Sequence, residues 1–133
     1  NRTPHILLSG WGRQYIISRL ESAGITYSYF EMADFTTLNE LYNCLDLYLV
    51  TSRHEGGPQA VLECSSNKTP ILSTDVGFAS QVLAPNCIVD NVQDFIGKIN
   101  SAGFDYTSKN HENLQAYTME NSMPKYVNLF RSL

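Results

Sequence analysis

Short continuous apolar runs alternate with segments of helical periodicity along this chain, and that alternation constrains the fold more than any other feature. Ile6-Leu7-Leu8-Ser9 is closed by Gly10. Tyr15, Ile16, Leu20 and Ala23 then recur at helical spacing before Gly24, a C-terminal stop. Residues 26–30 are aromatic and β-favouring and read as a strand. Thr37-Leu38-Asn39-Glu40 matches a capping box that starts a helix with Leu38, Leu41, Tyr42 and Leu45 on one face. Residues 45–51 predict the next strand, and a helix follows from Pro58 to Ser66, with proline suited to its first turn.

The pattern continues to the C-terminus. Residues 70–74 predict a strand, residues 78–83 a short helix, and Cys87-Ile88-Val89 a last strand. Asn91 is placed to cap a helix carrying Val92, Phe95, Ile96 and Ile99, which Gly103 would end. Residues 103–112 are polar and read as a loop. Met123, Tyr126, Val127 and Phe130 give a final amphipathic helix. No internal repeat, linker or low-complexity tract interrupts the series. Apolar strands alternating with helices predict an α/β fold, a Rossmann-like doubly wound parallel sheet of about five strands. Ligands of such sheets sit at the carboxyl ends of the strands.

Composition narrows the function. The 133 residues suffice for one domain with a core, and 43% apolar with 17% charged residues is a globular balance. The net charge is −4 and the nine Lys and Arg are dispersed, so nucleic acid is not an expected partner. Cys44, Cys64 and Cys87 share no metal or redox spacing and read as reduced thiols. No apolar run approaches the ~20 residues of a membrane span, and no signal peptide is visible. The expected location is cytoplasmic, with peripheral membrane association open for a longer parent. The chain starts at Asn1 rather than Met, which reads as an excised or processed piece.

One segment combines these expectations: Arg53-His54-Glu55-Gly56-Gly57-Pro58-Gln59-Ala60-Val61-Leu62-Glu63. It leaves the carboxyl end of a predicted strand, passes through glycines and enters a helix. Helix N–H groups and the macrodipole favour an anion such as phosphate there. Glu55 and Glu63 flank the turn and suit hydroxyl groups. Phosphate beside sugar hydroxyls describes a nucleotide sugar. A glycosidase dyad fits less well, because a turn plus more than one helical turn separates the carboxylates beyond the ~5–9.5 Å such dyads need. Spacing alone favours two ordinary surface carboxylates. Three details tip the balance: the strand-end position of Glu55, close backbone approach at Gly56-Gly57, and Glu63 set among Val61, Leu62 and Cys64.

The remaining candidates are weaker. Gly10-Trp11-Gly12 is a second glycine-containing βα turn without the third glycine of a dinucleotide fingerprint. It is more often a plain tight turn, although Gly10 would lie at the same end of the sheet. Thr74-Asp75-Val76-Gly77 forms a third loop at that edge, with Asp75 a candidate cap for the next helix. His5, His54 and His111 share no metal-ligand spacing. Ser52 sits in no nucleophile elbow, and Cys64 reads as core filler.

These residues resemble a known family. Residues 41–83 are similar to the C-terminal, donor-binding domain of GT-B glycosyltransferases, in particular the large retaining family four of the group 1 type. The match runs through Thr51-Ser52-Arg53-His54-Glu55-Gly56-Gly57-Pro58, Leu62-Glu63-Cys64, Thr69-Pro70-Ile71-Leu72 and Gly77-Phe78-Ala79-Ser80-Gln81-Val82-Leu83. Tyr117-Thr118-Met119-Glu120 with Tyr126 and Phe130 is similar to the family's C-terminal helix.

The resemblance implies a metal-independent hexosyltransferase domain that takes a nucleotide-sugar donor, such as a UDP- or GDP-sugar, as substrate and needs no cofactor. It implies that Glu55 contacts the donor sugar near the reacting centre and is the catalytic residue. It implies that Glu63 binds ribose hydroxyls, and that Gly56, Gly57, Gln59 and Ala60 hold sugar and phosphate. Gly10 and Arg53 complete the implied donor-binding set.

This chain departs from the family in several places. No counterpart of the family's first strand, with its Gly-Arg…Lys phosphate clamp, precedes residues 4–10. That implies a fragment or a sheet closed differently, with the acceptor domain outside it or a second copy as partner. Arg13 and Arg53 are the cations left to meet phosphate charge. Asn67-Lys68-Thr69 replaces a helix-ending glycine, so Asn67 or Lys68 takes a left-handed turn. Gln81 stands where the family often has Glu. The acceptor (glycan, lipid or protein) is left open. The alternative reading is a catalytically incomplete nucleotide-binding or assembly module.

Overall fold

A computed structural model describes residues 3–101 and 105–133. The chain forms two compact units, Asn1–Cys44 and Leu45–Leu133.

The first unit carries β1 (Ile6–Ser9), α1 (Gln14–Ser22), β2 (Tyr27–Phe30) and α2 (Phe35–Cys44). The two strands pair in parallel, Ile6 opposite Tyr27 through Ser9 opposite Phe30. Gly24 ends α1 at φ +65 and bonds back to the Glu21 carbonyl, as the sequence predicts. The capping expectation for α2 needs correction. Asp34 Oδ1 accepts from Thr37 N–H at 2.7 Å, so the helix starts a turn earlier and Thr37 lies inside it. A carboxylate accepting at a helix start is held in its charged form, and those Thr37 bonds lower the Asp34 pKa.

The second unit carries β3 (Tyr48–Val50), α3 (Gln59–Asn67), β4 (Ile71–Thr74), α4 (Ala79–Val82), β5 (Ile88–Val89), α5 (Val92–Asn100), α6 (Thr107–Leu114) and α7 (Met119–Arg131). Its sheet has the order β3-β4-β5, all parallel. β4 is the central strand, and Ile71 and Leu72 are fully buried. Leu72, Val89 and Phe95 form a core cluster against which Leu47 packs. Of the four apolar residues on α5, Phe95 alone is buried. Both sheets fulfil the expectation of parallel strands flanked by helices.

Several elements differ from the sequence reading. β3 is shorter than residues 45–51. Tyr48 N–H bonds the Pro70 carbonyl, and Pro70 has no N–H to extend the ladder backward. Cys87 lies in a 3-10 turn, Pro85–Cys87, where its N–H bonds the Ala84 carbonyl. α6 occupies part of the stretch expected as loop. Asp105 accepts from the Thr107 N–H and hydroxyl at 3.1 and 2.7 Å and starts the turn. Buried Asn110 on α6 then receives the Ala84 N–H at 2.7 Å. A polar side chain thus does the burying that the apolar pattern could not signal. The expected stop at Gly103 lies outside the described residues. Lys68 adopts the left-handed conformation at φ 56 and ψ 34, one of the two residues expected to do so.

Candidate functional site

The β3–α3 connection, residues 51–58, runs without regular structure from the carboxyl end of β3 to the start of α3. Glu55 sits on it, exposed to solvent. Ser52 donates its hydroxyl to Glu55 Oε1. Thr74, at the carboxyl end of the neighbouring β4, donates Oγ1–H to the Ser52 carbonyl at 2.6 Å. A solvent-exposed carboxylate is therefore tied through two hydroxyls to the central strand.

The two glycines serve different ends. A Cβ on Gly57 would lie 2.5 Å from Cε1 of the Phe78 ring, whereas one on Gly56 would meet nothing within 4 Å. Gly57 makes room for internal packing, and the open face of the turn is at Gly56.

α3 begins at Gln59, with Pro58 at the capping position and no side-chain cap bond there among the described residues. Val61 N–H bonds the Pro58 carbonyl, so the N–H groups of Gln59 and Ala60 precede the first turn's bonds. Those groups and the helix dipole present positive partial charge. Glu63 lies one turn further along α3 and is half-buried, as its apolar neighbours predict. Cys64 beside it is fully buried; burial and then the Glu63 charge push its thiol pKa well up. Cys64 is core filler, as expected.

Arg53 and His54 are both exposed on the loop. Arg53 has no ion-pair or hydrogen-bond partner among the described residues. Asp75 does not cap α4, whose start has no side-chain cap. Gln81 accepts from Tyr117 O–H at 3.2 Å and lines an open cleft with Ser122, Lys125 and Tyr126.

In the first unit, Gly10 follows β1 at φ +92. Its N–H bonds the Phe30 carbonyl, and its own carbonyl receives Tyr29 O–H at 3.1 Å. Arg13 folds back over this turn, and its Nε–H donates to the Ser9 carbonyl at 2.9 Å. The guanidinium covers Gly10, with Nη2 3.2 Å from where a Cβ would stand.

Among the described residues, no three His, Cys, Asp or Glu side chains group so as to hold a metal ion, and no helix is long and apolar enough to cross a membrane. Sequence reasoning missed Ser52 and Thr74 as partners of the Glu55 loop. Their signal was available: hydroxyl residues at the carboxyl ends of adjacent predicted strands.

The parallel strands, flanking helices and strand-end loop define a Rossmann-like α/β protein. A family profile described as glycosyl transferases group 1 matches residues 1–102, and the chain belongs to that family. No curated protein and no solved structure matches the chain.

Proposed function

We propose that the chain is the donor half of a retaining glycosyltransferase and binds a nucleotide-activated sugar at the β3–α3 turn. One observation carries this reading: an exposed Glu55 and a half-buried Glu63 flank, along the chain, the first N–H groups of α3, which no cap side chain bonds among the described residues. In this reading diphosphate meets the N–H groups of Gln59 and Ala60, Glu63 receives ribose hydroxyls, and Glu55 receives hydroxyls of the sugar. Arg53, exposed and without a partner among the described residues, supplies nearby positive charge. Catalysis then rests on positioning and on stabilising the departing diphosphate, without a metal. The acceptor would be seated by residues outside this half-site.

Arg13 favours a second reading, a nucleotide-binding or assembly module without transfer activity. Its guanidinium is engaged with the Ser9 carbonyl rather than held out for phosphate.

Titration of the chain with UDP, GDP and their sugars, by calorimetry or ligand-observed NMR, tests the proposal. Nucleotide binding is expected, with Glu63→Ala weakening it roughly tenfold, the worth of a charged hydrogen bond. Absence of binding at millimolar nucleotide, or unchanged affinity in Glu63→Ala, overturns the donor site.

A further inference from the structure

The Glu55 loop has no regular structure to hold it, yet its carboxylate is fixed by a defined chain of donors. Thr74 Oγ1 lies 2.6 Å from the Ser52 carbonyl and 3.5 Å from that of Val50, so β4 grips the loop where it leaves β3. Ser52, half-buried, then turns its hydroxyl to Glu55 Oε1. Ser52 is the single hydrogen-bond partner of that carboxylate among the described residues. From behind, the next loop closes on the same segment. A Cβ on Gly77 would stand 2.9 Å from the Gly56 carbonyl oxygen, and the Phe78 ring covers Gly57.

We propose that Ser52 is a positioning residue for Glu55, and that Thr74 positions Ser52 in turn. The inference rests on the reading of Glu55 as the contact to the donor sugar. The Ser52 hydroxyl occupies one lobe of the carboxylate and leaves Oε2 for a sugar hydroxyl. It also removes rotamer freedom that ligand binding would otherwise have to freeze. A carboxylate already aimed accepts a hydroxyl at lower entropic cost than a mobile one.

Two measurements on the intact chain decide it: the side-chain order of Glu55 by 13C NMR relaxation, and affinities for UDP-glucose and GDP-mannose beside UDP and GDP. Ser52→Ala is expected to mobilise the Glu55 side chain. It should weaken whichever sugar nucleotide binds by roughly tenfold while free nucleotides stay within about twofold. Ser52→Thr, which keeps the hydroxyl, should restore both properties. Thr74→Val should act in the same direction as Ser52→Ala, and Thr74→Ser should not. An equally ordered Glu55 in Ser52→Ala overturns the proposal. So does a parallel loss of nucleotide and sugar-nucleotide affinity, which would mark general damage to the turn. If the unaltered chain holds sugar nucleotides no more tightly than nucleotides, the sugar-contact reading of Glu55 falls, and the relaxation measurement still decides whether Ser52 orders it.

Discussion

Gly77 and Gly57 are in backbone contact: a Cβ added to Gly77 would lie 2.9 Å from both the N and the Cα of Gly57. Gly77 also has φ +56, a conformation that disfavours any side chain. The loop after β4 is thus pressed against the loop after β3, and the contact permits no intervening atom.

Gly77→Ala should therefore destabilise the chain by about 1–3 kcal/mol, combining strain with a backbone clash. Gly57→Ala should cost less, because its clash is with the Phe78 ring, which can turn aside. Urea unfolding of both variants checks the order. Equal stability of Gly77→Ala and the unaltered chain would refute the packing argument.

Asn110→Ala should cost about 1–3 kcal/mol, because it strands the buried Ala84 N–H that Asn110 Oδ1 receives at 2.7 Å. The loss should appear as faster amide exchange at Ala84 as well as a lower unfolding midpoint. A lowered midpoint with Ala84 still protected would place the effect elsewhere.

Thiol chemistry should be selective. Burial pushes the pKa of Cys64 and Cys87 up, while Cys44 is exposed. Alkylation of the folded chain at neutral pH should label Cys44 alone, and unfolding should release the other two; mass spectrometry reads the count. The sign of the linked pH effect follows. A buried thiol with a raised folded pKa contributes stability that is complete below the ordinary thiol value, about 8.5, and lost as pH rises above it. The urea midpoint should fall between pH 8 and 10, by less in Cys64→Ala relative to its own value at neutral pH.

Much of the second unit was legible because its signals are local. Ile71 and Leu72 announce a buried strand, Asn91 caps α5 through the N–H groups of Gln93 and Asp94, and Lys68 takes the turn that a glycine usually fills. Two misreadings have different causes. α6 hides its buried residue as Asn110, which hydrophobic periodicity cannot register. Asp34 competes with Thr37 as a cap three residues away, and short-range preference does not rank them.

For the proposed site, the sequence suggested the residues and not the contacts that support them. Glu55 and Glu63 stand out by strand-end position and neighbours rather than by spacing, and Glu63 is half-buried as its flanking residues imply. That Gly57 faces Phe78 while Gly56 faces open space depends on residues twenty positions later. The Thr74–Ser52 bond likewise joins two strands that only the folded sheet brings side by side.

The interlock of the two loops bears on how this protein can vary. Positions 57, 77 and 78 do not drift separately, since a side chain gained at Gly77 displaces the turn that carries Glu55, and a smaller residue at Phe78 removes what Gly57 was cleared to admit. Substitutions that retune the turn must arrive as matched sets across both loops. Selection on Glu55 therefore reaches residues that never touch it.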